Sequence, residues 1–300
     1  MLKKDDFEDP GRLPSDEQLL IIRAALLPGP EGQQARSAWL ENAKIERLGK
    51  ASRRLLPLLY DRFKTDGVNH SLLPMLKGVK RHTWYRNQLL FRCASEAIGT
   101  LAERGIESMV IKGAAIATTY YHDASLRPME DADLLVRYED APAAVALLRK
   151  KGWAPLDQRA CIPAFFHKIY KYEHAMHLRH PSGQDLDLHW NLLPLCFGSE
   201  ENEDFWAASR PALFNTRTVR TLDPADQLLH ICVHGAAWDP LSPIRWIADA
   251  VVVIRATPNL NWERLLRQAK QRELTLTSVI TLKPAIRYQF KTGQRDWPKT

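Results

Sequence analysis

The sequence predicts an α+β fold, an α/β core carried between helical regions. Helical periodicity with capping signals fills roughly the first hundred residues, short strand patterns with turn residues fill the middle, and helical periodicity returns towards the C-terminus. The divisions that follow are 1–104, 105–192 and 193–300.

Ser15 reads as the cap of a helix starting at Asp16, with two further helices before Gly105. Pro28-Gly29-Pro30, Gly67 and Pro74 punctuate that region. In the core, 108–112 reads as a short buried strand, 113–121 as a helix with a small-residue start, and 139–151 as an amphipathic helix ended by Gly152. Segments 174–178 and 184–189 flank Pro181-Ser182-Gly183, a hairpin signal. Helices are expected again over 224–235 and 244–253.

The most informative stretch is Arg127-Pro128-Met129-Glu130-Asp131-Ala132-Asp133-Leu134. Strand alternation sends Asp131 and Asp133 to one face and Ala132 and Leu134 to the other. Two carboxylates held side by side repel each other and favour a divalent cation. Spacing alone does not make the case, since about four acid-x-acid pairs arise by chance in a chain with 35 acids. The context upstream does: a strand runs into Lys112-Gly113-Ala114-Ala115, where a glycine turn, a helix N-terminus and a cation suit phosphate.

A phosphate cradle followed by an acid pair on the next strand resembles the polymerase β-like nucleotidyltransferases. Lys112-Gly113-Ala114-Ala115, Leu126 to Val136 and Asp185-Leu186-Asp187-Leu188-His189-Trp190 are similar to the bacterial family of uncharacterised nucleotidyltransferases, over roughly 80–255. The resemblance implies a small mixed nucleotidyltransferase sheet with flanking helices and a C-terminal helical region on the substrate side. It also implies two Mg²⁺ (or Mn²⁺) ions on Asp131, Asp133 and a third acid, with an NTP as co-substrate. Asp187 matches that third acid, and Asp185 is the alternative. Lys112, Gly113, Ala114 and Arg127 fall to nucleotide binding, with Arg127 either meeting phosphate or anchoring its loop through Glu130. The superfamily turn has serine or glycine after its glycine; Ala114 offers an N–H but no hydroxyl. Asp185, His189, Arg245 and Asp249 are substrate-side candidates, and Arg245 with Asp249 equally fits an i, i+4 surface ion pair.

The 34.3 kDa chain can bury one large or two modest cores. It has no long uncharged apolar run and a charged N-terminus, so a cytoplasmic location without a membrane partner is expected. Cys93, Cys161, Cys196 and Cys232 lie far apart and read as reduced, buried thiols. His230 and His234 share a helix face but lack the glutamate of a zinc-protease helix, and read as core. His174 and His177, three apart on a strand, make a poor chelate. No GxSxG, Walker or GxGxxG element occurs.

The net charge of +7 suits an acidic partner. Lys77, Lys80, Arg81, Arg86 and Arg92 form a run with no acid before Glu96 and with Trp84 and Tyr85 inside it. One reading is a helix face for a phosphate backbone with aromatic stacking. The other packs Trp84, Leu89 and Leu90 inward and leaves a solvated face. The expected function is metal-dependent transfer of a nucleoside monophosphate from an NTP to an acceptor hydroxyl or phosphate, on a small molecule or biosynthetic precursor. Alternatives are a toxin-like enzyme acting on RNA or protein, and an inactive scaffold with the same fold.

Overall fold

A computed structural model of the chain describes residues 14–157, 170–193, 200–237 and 244–274, and elements are numbered in chain order among these. The helices before the sheet are α1 (Asp16–Leu26), α2 (Gly29–Asn42), α3 (Lys50–Arg53), α4 (Leu56–Thr65) and α5 (Leu73–Ala102). Next come β1 (Ser108–Ile111), α6 (Lys112–Thr119), β2 (Asp131–Val136), α7 (Ala141–Lys150), β3 (Ala154–Pro155), β4 (Ala175–Arg179) and β5 (Asp185–His189). Then follow α8 (Glu200–Ala208), β6 (Arg210–Phe214), β7 (Arg217–Thr221), α9 (Pro224–Ala237), α10 (Ile244–Ala256) and α11 (Trp262–Gln271).

The chain forms two compact units: Met1–His82 with Ser125–Arg127 and Ile231–Thr300, and Thr83–Ala124 with Pro128–His230. The first is helical. Ser15 starts α1 with a capping box, its hydroxyl accepting from the Gln18 N–H while Gln18 Oε1 accepts from the Ser15 N–H. Ser15→Ala is expected to cost about 1 kcal/mol of stability, measured by thermal unfolding. Ile21, Ile22, Ala25 and Leu26 bury the inner face of α1, which packs against α2, α4 and α10. Its last carbonyls would otherwise be orphan acceptors. Arg36 donates to Ala24 and Leu27, Arg62 to Ala25 and Arg255 to Leu26, setting positive charge on the negative end of the helix.

The second unit is built on a mixed seven-stranded sheet of order β3-β4-β5-β2-β1-β7-β6. The β2–β5 and β1–β7 pairs are parallel and the others antiparallel. Alternation gives one face to Ala132, Leu134, Val136, Met176, Leu178, Leu186 and Leu188, which join apolar side chains of α5, α6 and α7 in a single core. Gly183, at φ 84°, closes the β4–β5 hairpin where glycine has no steric penalty.

The strands expected at 108–112, 174–178 and 184–189 and the helices expected at 139–151, 224–235 and 244–253 are present within a few residues. Four helices, α2 to α5, fill the stretch in which two were expected, because the Gly and Pro breaks cut it into shorter pieces. The sheet is also wider than expected. The β6–β7 hairpin, from the stretch 193–221 that shows no clear period, lies beyond β1; its outer strand is mostly exposed and bears Arg210 and Pro211, so it lacks an apolar stripe. Among the described residues, no helix is long and apolar enough to cross a membrane. Cys93 and Cys232 are free and buried, whereas Cys161 and Cys196 lie outside the described residues.

Candidate active site

The parallel β2–β5 pairing sets Asp131 beside Asp185, Asp133 beside Asp187 and Leu135 beside His189. Paired residues share a face, so four carboxylates line one side of the two central strands. The register is forced, because a one-residue slip of β2 would turn its acids into the core and expose Ala132 and Leu134. On the far side of β5, the hairpin sets His177 opposite Asp187 and Arg179 opposite Asp185.

Lys112 reaches this cluster through a break in alternation. Ile111 is the register partner of Asp133, so a continued strand would point Lys112 to the other face. The helix starts there instead, with Lys112 in the left-handed region at φ 47°, a conformation that non-glycine residues hold at a cost. Its Nζ lies 2.6 Å from Asp133 Oδ1. The same oxygen lies 3.1 Å from Nε2 of the buried His189, which donates to it. No side chain caps α6, so the first-turn N–H groups, Gly113 and Ala114 among them, are not claimed by a cap and suit an anion.

The electrostatics separate the two central acids. Burial opposes ionisation of Asp133, but the Lys112 ammonium and the His189 hydrogen bond outweigh it and hold the carboxyl well below the usual range. Asp187 is pushed up to about 7, by burial first and then by the Asp133 charge. Burial works against the Lys112 charge too, yet Asp133, Asp187 and Asp131 together raise its pKa. Burial, followed by Lys112, pushes His189 down to about 3 and also lowers His174. Such divergent neighbours mark sites of acid–base or metal chemistry.

Arg179 clamps Asp185 with two hydrogen bonds of 2.7 and 2.8 Å, which keep that carboxyl low. His177 Nδ1 comes within 2.7 Å of Asp187 Oδ1, in ion-pair range but off the direction that a hydrogen bond needs, so this buried oxygen stays unsatisfied. Ligand atoms of Asp133, Asp187 and His189 lie within 4.8 Å of one another. The unsatisfied Asp187 oxygen beside Asp133 fits a divalent cation such as Mg²⁺ or Mn²⁺, which takes carboxylate oxygens, while His189 Nε2 is spent on Asp133.

The strand acids and Lys112 therefore come together, with His189 closer to Asp133 than a substrate-side role implies. His177 is an addition: a hairpin pivoting on Ser182 has to set it opposite Asp187, and that register is the signal that could have found it. Arg127 and Asp249 belong to the other unit. There they form a buried bidentate pair at 2.9 and 2.8 Å, so Asp249 is a carboxylate that holds this arginine. Asp249 is thus buried on Arg127, and Arg245 sits half-buried one turn earlier on α10.

Among solved structures, the chain is similar to the antibiotic-resistance factor ANT(2'')-Ia in solution, at 13% identity and a TM-score of 0.44, over 64% of this chain and 96% of that one. It is also similar to an antigenic nucleotidyltransferase-like protein from Paracoccidioides brasiliensis, at 15% identity and a TM-score of 0.39, over 68% of this chain and 91% of that one. Neither likeness carries a residue's role to this chain. No curated protein matches it. The model of the family described as Uncharacterised nucleotidyltransferase matches residues 46–285, from before α3 to beyond α11 with the whole acid-bearing sheet inside, and the chain belongs to that family.

Proposed function

We propose that the protein moves a nucleoside monophosphate from an NTP to a hydroxyl or phosphate of an acceptor, releasing pyrophosphate. The observation that supports this most is the β2–β5 register, which lines up Asp131, Asp133, Asp185 and Asp187 beside the Lys112 turn. Asp131, Asp133 and Asp187 would hold two Mg²⁺ or Mn²⁺ ions, which supply Lewis acidity at the α-phosphate and the acceptor oxygen.

The protein's own groups do the rest. The N–H groups of Gly113 and Ala114, with Lys112, receive the triphosphate and neutralise the charge that builds on departing pyrophosphate. Asp187 takes the proton of an acceptor hydroxyl as the acceptor oxygen bonds to the α-phosphorus and the bond to the bridging oxygen breaks. His189 fixes Asp133, and Arg179 fixes Asp185. Arg127 is held by Asp249 within the helical unit.

A small molecule or biosynthetic precursor is the first reading of the acceptor. RNA is the second, and the outer face of α5 favours it. The test is incubation with each α-³²P-labelled NTP and Mg²⁺ or Mn²⁺, with total RNA or a metabolite extract, beside Asp131→Asn. Label should pass to an acceptor in the wild type and fall about 10³-fold in the variant, with its melting temperature unchanged or raised. Equal labelling by both proteins would remove the acid pair from the chemistry; no labelling and no metal-dependent NTP binding would leave a scaffold.

A further inference from the structure

Helix α5 does with its outer face something that core packing does not explain. Its inner face is committed: Leu76, Leu90, Ala94, Ala97, Ile98 and Leu101 are buried. The expectation that Trp84 and Leu89 pack inward with Leu90 is not met, since Trp84 and Tyr85 are 54% and 57% exposed and Leu89 is exposed beside them. Lone exposed aromatics are ordinary. Here two adjacent rings sit among cations on one helix, so the helix alone fixes their spacing.

Lys77, Arg81, Trp84, Gln88 and Arg92 follow one another at intervals of three or four, forming a continuous row. Tyr85 lies one turn beyond Arg81, whereas Arg86, about two and a half turns from Lys77, falls on the opposite side of the helix. Arg92 is paired with Glu96 and Lys80 with Asp61. Among the described residues, the Lys77 and Arg81 side chains have no hydrogen-bond or ion-pair partner. No acid occurs between Asp66 and Glu96, so this face carries no anion of its own to neutralise them.

From this face we infer a binding surface for unpaired RNA, with Lys77 and Arg81 on phosphates, Trp84 and Tyr85 stacked on bases, and the Gln88 amide within reach of a base edge. A single strand fits better than a duplex, because its bases are available for stacking without melting. A lipid surface fits less well: a membrane-lying helix turns an apolar face to the lipid, and the apolar face of α5 is already used in the core. The inference concerns binding and does not depend on the transfer reaction.

The experiment measures binding of a fluorescent oligo(A) RNA, about 16 nucleotides long, to the full-length chain without NTP. It is repeated on Asp131→Asn, so a failed catalytic assignment leaves the result interpretable. Two phosphate contacts on a single strand predict a slope of about −1.4 in log affinity against log salt, or roughly a 7-fold loss between 50 and 200 mM. Trp84→Ala and Tyr85→Ala should each weaken binding about tenfold. The double change Lys77→Gln, Arg81→Gln should flatten the salt slope, while Arg86→Gln on the opposite side of α5 and Lys270→Gln on α11 change nothing. All these side chains are exposed, so circular dichroism and melting temperature should stay at wild-type values. Absent binding, binding indifferent to the changes at Lys77, Arg81, Trp84 and Tyr85, tighter binding of oligo(dA), or a preference for phosphatidylserine vesicles would each overturn the inference.

Discussion

Asp187→Asn is expected to reduce transfer about 10³-fold while making the metal-free protein more stable at pH 8. The gain follows from the direction of the pKa change. Burial and the neighbouring Asp133 charge raise the folded-state value to about 7, above the usual carboxylate range that the unfolded chain retains. Between pH 4 and 7, roughly, the folded protein holds a proton that the unfolded chain does not, so stability falls as pH rises through that window and stays low above it. Asparagine mimics the protonated acid and removes this loss. The variant should gain about 2 kcal/mol at pH 8, or 4–8 °C in melting temperature, and the gain should vanish near pH 4. In the wild type, added Mg²⁺ or Mn²⁺ should restore stability at pH 8 and release a proton near pH 6.5, whereas the variant should respond weakly. A variant that is less stable at pH 8 would show that Asp187 is a structural acid rather than a strained ligand.

Lys112→Met should behave in the opposite way, losing both transfer and stability. Asp133 is only 3% exposed, and the Lys112 ammonium at 2.6 Å is the first cause of its ionisation there. Removing one member of a buried pair strands the other, at a cost of about 3 kcal/mol. That corresponds to a fall of roughly 6–12 °C in melting temperature. The loss should be full at pH 8, because a depressed carboxyl contributes its stability above the unfolded value and gives it up only in acid. It should shrink towards pH 6, since burial and then Lys112 hold His189 down at about 3, and without the ammonium the imidazole can take a proton beside Asp133. Thermal unfolding at the two pH values measures both effects. A loss below about 1 kcal/mol at pH 8 would mean that Lys112 is not the charge that keeps Asp133 ionised.

The two variants act on neighbouring acids of one sheet face and differ in sign. Asp133 has its countercharge built in, whereas Asp187 does not and depends on what binds. This asymmetry was not legible from the paired motifs, which present Asp131, Asp133, Asp185 and Asp187 as equivalent alternating acids. It arises because β1 ends in a turn that throws Lys112 towards Asp133, while Asp187 feels that ammonium at longer range and has the misaligned ring of His177 beside it. The anchor of Arg127 was out of reach for the same kind of reason: 122 residues separate it from Asp249, and nothing local in the chain relates a loop arginine to a distant helix.

Local patterning determined which segments are strands, which faces of β2 and β5 are acidic, and where the β4–β5 hairpin turns, because alternation and turn chemistry act within a few residues. The rank of the central acids, the partner of Arg127, the exposure of Trp84 and the sheet's extension through β6 and β7 were decided only by the tertiary structure. Each depends on burial or on charges brought together from distant parts of the chain, and a linear pattern does not record desolvation or long-range pairing.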